Sequence, residues 1–388
     1  MTVIAAAKRT PMGNFNGVFK DITSPQLGSY AISALFYDVS LKNKIDAAYM
    51  GCVLSAGLGQ APARQAALGA NISTTTPCTT INKMCGSGMQ TVMIAHHEIQ
   101  NKNAEIIIAG GMENMSRAPY LLQGARIGLR MGEQTMQDHM QIDGLINAYG
   151  EHLSMGAIAE KCAFENHITR EEQDAFAINS INRAIQATKK GYFKDEISPI
   201  SIRDKKGEII ICEDEGIQKA NPEKIPQLKP AFTKDGTITA ANASSISDGA
   251  AALLLMSESA ANQHKIKQLA KIIGDANVAL APEQFPIAPI FAIEKLLQKI
   301  NWTINDVDLF EINEAFSVVT LITMKKLSIP IEKINVHGGA CILGHPIGAS
   351  GARILVTLIH ALKQQNKKRG VAAICIGGGE ATAIGIEI

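Results

Sequence analysis

The 388-residue sequence contains no apolar run long enough to span a bilayer, so nothing in it predicts a membrane segment. It also lacks a dominant charge. Lys and Arg number 37 against 36 Asp and Glu, a net charge of +1, and no global field draws nucleic acid or an anionic membrane. A local basic patch for a phosphate-bearing ligand is still compatible with that balance. There is no CxxC pair and no Cys/His cluster with zinc spacing. The seven cysteines are scattered and odd in number, which excludes a disulfide framework and points to free thiols in a reducing cytoplasm. The GxxxxGK[ST] phosphate loop is missing as well. The opening run Met1-Thr-Val-Ile-Ala-Ala-Ala-Lys-Arg is too short and too soon charged for a signal peptide, and reads as a first strand.

What is present is a well-packed globular composition, 46% hydrophobic and 19% charged, in a chain long enough for two or more lobes. In the first third, residues 47–52 and 77–82 read as strands and residues 59–70 and 86–100 as helices. Met89, Val92, Met93, His96 and Ile99 fall at helical spacing, and residues 106–109 form a further short strand before Gly110-Gly111. The last third repeats this order. Residues 307–312, 333–336 and 371–376 read as strands, residues 315–327 and 349–362 as helices, and Gly377-Gly-Gly follows. Two similar α/β halves, each with a sheet covered on both faces, are the simplest reading. Between them, from about 116 to 239, the composition shifts to Met, Gln, Asp and Glu, then to an amphipathic stretch over 171–189 and a polar segment with Pro222, Pro226 and Pro230. A large insertion over one half is expected, carrying substrate or oligomer contacts.

Four segments carry reactive residue types. In Asn82-Lys-Met-Cys85-Gly-Ser-Gly-Met a strand runs into a thiol at a glycine-started helix. The positive end of the helix would lower the thiol pKa, and the glycines would let a substrate carbonyl approach backbone N–H groups. The competing reading is a structural cysteine in a tight turn. In Asn335-Val-His-Gly-Gly-Ala-Cys-Ile-Leu-Gly-His345-Pro-Ile-Gly-Ala-Ser-Gly-Ala-Arg353, His345 occupies the place in the second half that Cys85 holds in the first. It could take a thiol proton, or be a loop histidine with a structural hydrogen bond. In Cys375-Ile-Gly377-Gly-Gly-Glu, a second thiol ends a strand. It could act as an acid or base beside a bare Gly377 N–H, or be a buried strand cysteine. In Glu311-Ile-Asn313-Glu-Ala-Phe, Asn313 could hold a water or a carbonyl oxygen, or cap a helix.

Together these segments resemble the thiolase family over essentially the whole chain. The likeness begins at Ala7-Lys-Arg-Thr-Pro-Met-Gly and includes Gly110-Gly-Met-Glu-Asn-Met-Ser, Ala240-Ala-Asn-Ala-Ser244 and Ser247-Asp-Gly-Ala-Ala. The resemblance implies a five-layered α/β/α/β/α fold of duplicated halves with an inserted loop domain. Its expected boundaries are 1–115 plus 246–267 for the first half, 116–245 for the loop domain and 268–388 for the second half. By motif, Cys85 would carry the acyl group, His345 would activate it and Cys375 would move the proton at the substrate α-carbon. Asn313 (through a water) and His345 would form one oxyanion site, and the N–H groups of Cys85 and Gly377 the other. Ser244 resembles a coenzyme A pantetheine contact, and Lys219 and Lys224 are expected on coenzyme A too. Coenzyme A is substrate and product, so no cofactor or metal is implied.

Ala281-Pro-Glu-Gln-Phe285-Pro286-Ile-Ala-Pro looks most like the mitochondrial-type acetoacetyl-CoA thiolases, in which Phe285 and Pro286 would line the acyl pocket with Met155. That resemblance implies two acetyl-CoA giving acetoacetyl-CoA and CoA, reversibly. A broad-chain 3-ketoacyl-CoA thiolase of fatty-acid β-oxidation and a silent thiolase-like CoA- or lipid-binding protein are the alternatives. A decarboxylating ketoacyl synthase would need Cys/His/His or Cys/His/Asn, which Cys375-Ile-Gly-Gly-Gly argues against. The sequence departs from short-chain relatives at Ser154, where they carry His. It departs from potassium-dependent relatives at Ile181, where they carry Tyr, and potassium is not expected. Residues 123–144 resemble the family's tetramerisation loop, implying a homotetramer.

Overall fold

The structure, a computed structural model, describes residues 1–36, 39–204 and 207–388. The strands that organise it are β1 (Thr2–Arg9), β2 (Ala47–Gly51), β3 (Cys78–Ile81), β4 (Ile106–Asn114), β5 (Ser247–Ser257), β6 (Ala270–Ala279), β7 (Leu309–Ile312), β8 (Arg369–Ile376) and β9 (Glu380–Glu387). They hydrogen-bond in the order β7-β8-β9-β6-β1-β5-β4-β2-β3, with the two-residue strand Gly13–Asn14 beside β5. The helices are α1 (Ser24–Ser33), α2 (Pro62–Gly69), α3 (Ser87–Gln100), α4 (Met155–Glu165), α5 (Arg170–Lys189), α6 (Ala288–Ile300), α7 (Ser317–Leu327) and α8 (Ser350–Gln364).

Only two residue pairs, Val3 with Lys271 and Ile4 with Ala270, join the halves across the β1–β6 seam. The sheet therefore works as two sheets facing each other. Side chains alternate along a strand, so each sheet has two faces to cover. On β4, Ile107 and Ala109 point to the centre while Ile106 and Ile108 point outward. The central layer is α3 and α8. Met89, Val92 and Met93 meet Ile354, Leu355 and Leu358 there, between Leu253 of one sheet and Ile374 of the other. Outside lie α1 and α2 on the first half, and α6 with the end of α7 on the second. These are the five layers implied by the thiolase resemblance.

A helix between two sheets must be apolar or small all round. Every residue of α8 from Ser350 to Leu362 is buried. The helices cross closely because both carry glycine at the contact. A Cβ on Gly351 would lie 2.4 Å from the Met89 nitrogen, and one on Gly88 would lie 2.9 Å from that of Ala352. Gly88, read from the sequence as room for a substrate, serves helix packing instead.

Two expectations change. The strand expected over 333–336 shrinks to one parallel bridge between Ile334 and Phe310. The 3-10 turn Ile331–Lys333 precedes it, and Asn335, at φ 44°, leaves the extended region. His345 does not open α8, which starts five residues later at Ser350, whereas Cys85 stands two residues before Ser87 of α3. The second half thus reaches its central helix by a longer segment, long enough to bring His345 back over the site.

α4 and α5 belong to the inserted segment. The amphipathic stretch 171–189 is the body of α5, started by a capping box of Thr169 and Glu172. A buried charge network ties this segment to β1. Arg9 Nε meets Glu196 Oε1 at 2.6 Å, and Nη1 and Nη2 meet the two Asp214 oxygens at 2.7 and 2.9 Å, all with no exposure. Removing one partner of such a network leaves uncompensated buried charge. Arg9→Met is expected to cost about 3–5 kcal/mol, read as a lower urea midpoint with an unchanged slope. Among the described residues, no helix is long and apolar enough to cross a membrane.

Candidate active site

Cys85 sits on a strained elbow between β3 and α3. Met84, just before it, has φ 48°, a conformation costly for a side chain of its size. Local hydrogen bonds hold it there. Met84 N–H donates to Asn82 Oδ1 at 3.0 Å. Ser87 Oγ donates to the Met84 carbonyl at 2.6 Å and accepts from Lys83 N–H at 2.9 Å. The other half comes close at Gly86, where a Cβ would lie 2.4 Å from Ile376 Cδ1. The tight contact across the halves brings β8 alongside the elbow. At the tip beyond β8, the Gly377 N–H lies near enough to the Cys85 sulfur to favour its thiolate, as does the N–H of Cys85 itself. The two N–H groups expected to serve an oxyanion therefore converge on the thiol.

The helix N-terminus was expected to lower the Cys85 pKa. Instead burial dominates and pushes the thiol up to about 11, with the two N–H groups opposing. The thiol is protonated at rest and needs a base. Alkylation of Cys85 by iodoacetamide in the free protein should rise about tenfold per pH unit from 7 to 10, because only the thiolate reacts. A plateau below pH 9, followed by peptide mapping, would show the helix field prevailing. Cys375, at the end of β8, is 1% exposed, and burial with the neighbouring Cys85 holds its pKa well above the ordinary thiol range.

His345, expected as the base, is held by its own segment. Its Nδ1 lies 2.5 Å from Ser350 Oγ, and Ser350 Oγ in turn donates to the Pro346 carbonyl at 3.0 Å. With the serine proton committed, Nδ1 carries the histidine proton and Nε2 is left with a free lone pair. Nε2 is buried without a partner. Burial, reinforced by Arg353, lowers the His345 pKa to about 3, so the ring is neutral. Gly344 precedes it at φ 93°, with no room for a side chain: a Cβ would lie 2.1 Å from Ser247 Oγ.

Cys85, His345, Cys375 and Gly377 line one small cavity of about 60 Å³, together with Ser244, Met155, Phe285 and Phe316. It adjoins a channel of about 540 Å³ that shares Met155, Ser244, Phe316, His345 and Ile347. Pro286 is buried behind Phe285, outside the wall. Asn313 is fully buried and also off the wall, with both side-chain polar atoms unpaired. Leaving such an amide unmet costs about 1–3 kcal/mol per group, a cost an oxygen ligand would relieve. Ser154 caps α4, accepting from Ala157 N–H at 3.2 Å, and lines the channel. Lys219 and Lys224 lie elsewhere, in a cavity of about 350 Å³ that also contains Ile181 and meets the channel only at Ser245. Lys219 is paired with Glu215 at 2.7 Å. Among the described residues, no cluster of three His, Cys, Asp or Glu is placed to hold a metal ion.

Sequence reasoning missed the residues that hold these groups. Glu113 accepts from Val53 and Gly348 N–H at 2.9 and 3.0 Å and from Leu54 N–H at 3.2 Å, tying the His345 segment to the first half. Burial raises its pKa to about 7. Glu314 accepts from Ser180 Oγ, Asn335 Nδ2 and Cys341 N–H, next to Asn313. Both lie inside segments already singled out, but no local periodicity marks a carboxylate that collects distant N–H groups.

The chain that carries this thiol, this histidine and this second thiol matches one family along nearly its whole length. Residues 2–259 match the family described as thiolase, N-terminal domain, and residues 266–388 match thiolase, C-terminal domain. The chain is a thiolase. A probable acetyl-CoA acyltransferase of Staphylococcus aureus is 46% identical to this thiolase over 384 residues, 98% of this chain and 97% of the relative. A Bacillus anthracis acetyl-CoA acetyltransferase superposes with TM-score 0.96 at 39% identity, covering 100% of this chain and 98% of the other. The Acat5 thiolase from Ascaris suum, solved in complex with coenzyme A, gives 0.93 at 40% identity, covering 100% and 99%. This thiolase is accordingly an acyltransferase.

Proposed function

We propose that this thiolase is an acetyl-CoA C-acetyltransferase, joining two acetyl-CoA into acetoacetyl-CoA and CoA and running in reverse by thiolysis. The observation that carries the short-chain reading is the cavity of about 60 Å³ around Cys85, closed by Phe285, Met155 and Phe316. A single water needs roughly 10–15 Å³ on this measure, so the space suits a group of a few heavy atoms. The adjoining channel would take the pantetheine arm. The names of the relatives support coenzyme A thioesters as substrates.

In the first half-reaction His345 Nε2 takes the Cys85 proton as sulfur attacks the thioester carbonyl. The developing oxyanion is held by the N–H groups of Cys85 and Gly377. The C–S bond to CoA breaks, and His345 returns the proton to the departing thiolate. In the second, Cys375 passes its own proton to His345 and, as the thiolate, takes an α-proton from a second acetyl-CoA. His345 and Asn313, through a water, hold the enolate oxygen. The carbanion attacks the acyl-enzyme, a C–C bond forms, the Cys85–acyl bond breaks, and His345 returns its proton to the departing Cys85 sulfur. No cofactor or metal enters this scheme.

Intact mass spectrometry after adding acetyl-CoA tests it. One acetyl group should appear, map to Cys85 and disappear on adding CoA. No adduct, or one mapping elsewhere, would overturn the scheme. Thiolysis should be fastest with the four-carbon substrate. One observation favours the broad-chain alternative: a second cavity of about 430 Å³ shares Gly144, Met155 and Gly377 with the catalytic one. Rates rising beyond four carbons would decide for it.

Residues 116–245 are proposed as the loop domain, with the first half formed by 1–115 and 246–267 and the second by 268–388. Within the loop domain the apolar side chains of Ile127, Leu129, Met131 and Met136 are exposed, which suits contacts within a homotetramer. A cytoplasmic setting fits the seven free thiols.

A further inference from the structure

We propose that the ion pair between Lys83 and Glu380 is a positioning clamp that sets the spacing of the Cys85 and Gly377 N–H groups. The inference rests on the reading of those two groups as an oxyanion site. One donor comes from each half of the molecule, and the backbone pairing at the seam between the sheets, residues 3–4 with 270–271, includes neither. The Gly86–Ile376 approach brings the two segments together, and a further local restraint would fix the separation of the donors.

Gly377–Gly379 is the turn between β8 and β9, whose last facing pair is Ile376 and Glu380. Gly378 and Gly379 take φ 96° and 89°, so the turn admits no side chains that could pack it in place. A Cβ on Gly379 would lie 2.4 Å from the Ala281 carbonyl oxygen, while one on Gly378 would find only Tyr149, at 3.7 Å. The outer side of the turn is thus fixed by Leu280 N–H donating to the Gly379 carbonyl at 2.8 Å. The side facing the elbow is reached by a charged side chain from each half. Lys83 Nζ donates to Glu380 Oε2, linking a residue two before the nucleophile to one three after Gly377. Lys83 is itself anchored, through its N–H to Ser87 Oγ and its bridge to Cys85. The Lys83 and Glu380 side chains are 24% and 37% exposed, and a pair so placed adds little to stability. Its position is better explained by geometry, to which acyl transfer is far more sensitive.

The test uses Lys83→Met, Glu380→Gln and the charge-exchanged pair Lys83→Glu/Glu380→Lys in the full-length protein. Each single variant should lower kcat about 10- to 100-fold with KM for acetyl-CoA and Tm unchanged, as expected for about an ångström of misplacement. The exchanged pair should recover at least tenfold over either single variant, the signature of direct coupling. The native kcat should fall with added salt, and that of the single variants should not. Single variants with native kcat, or an exchanged pair that melts normally without recovery, would overturn the clamp. If the native protein itself forms no acetyl adduct at Cys85, the underlying oxyanion reading has failed instead, and that is read before any variant is made.

Discussion

Cys85→Ala is expected to lose at least about 10⁴-fold in turnover in both directions, because the covalent step then has no nucleophile. The substitution removes one sulfur from a cavity of about 60 Å³ and leaves the elbow's own hydrogen bonds among Asn82, Lys83, Met84 and Ser87 untouched. Folding should therefore survive, with an unchanged far-UV spectrum and a thermal midpoint within a few degrees. Binding should survive as well, since the channel along Ser244, Met155 and Phe316 does not depend on the thiol. The combination to look for is saturable CoA binding by calorimetry with no turnover. Residual turnover above about one per cent of native would show that another group carries the acyl chain.

Cys375→Ser should separate the two half-reactions. Serine keeps the shape at a site only 1% exposed, so packing changes little. Its hydroxyl is a far weaker acid than a thiol, and the α-proton step loses its base. Acetylation of Cys85 should proceed within about tenfold of native, while condensation falls by about 10²–10⁴-fold, the usual worth of a positioned acid–base group. Rapid-quench measurement of the adduct alongside steady-state condensation checks this. Equal loss in both steps would mean that Cys375 acts on the first half-reaction too. Its high pKa in the resting site makes a resting thiolate unavailable, so proton transfer must be coupled to approach of the substrate.

Much of the fold was legible before any coordinates. The repeated order of strands and helices gave two halves, because a buried sheet strand and a central helix each need continuous apolar sequence over a characteristic length. β5, β6 and β9 were not recognised. β5 and β9 are each buried along nearly their whole length, so neither shows the alternation that marks a half-exposed strand. The strand expected at 333–336 failed because Asn335, at φ 44°, serves as a hydrogen-bonding bracket. Its side chain accepts from Ile312 N–H at 2.8 Å and donates to the Ile312 carbonyl and to Glu314, also at 2.8 Å.

The sequence alone determined which reactive groups the thiolase has and in what order: two thiols and a histidine, each near a glycine that lets backbone come close, and an amide. Residue type and local spacing suffice for that, because they decide what chemistry a segment can offer. Only the tertiary structure decided how those groups are charged and aimed. It turned the expected low-pKa thiol into a protonated one near 11, since burial depends on what packs over a residue and not on its neighbours in sequence. It assigned Gly86 and Gly88 to contacts with the other half, where a Cβ would meet Ile376 or Ala352. It gave His345 its tautomer through Ser350, and placed the Gly377 N–H against the Cys85 sulfur across nearly three hundred residues of chain. Those distances are set by the packing of two sheets around two helices, a property no short segment carries by itself.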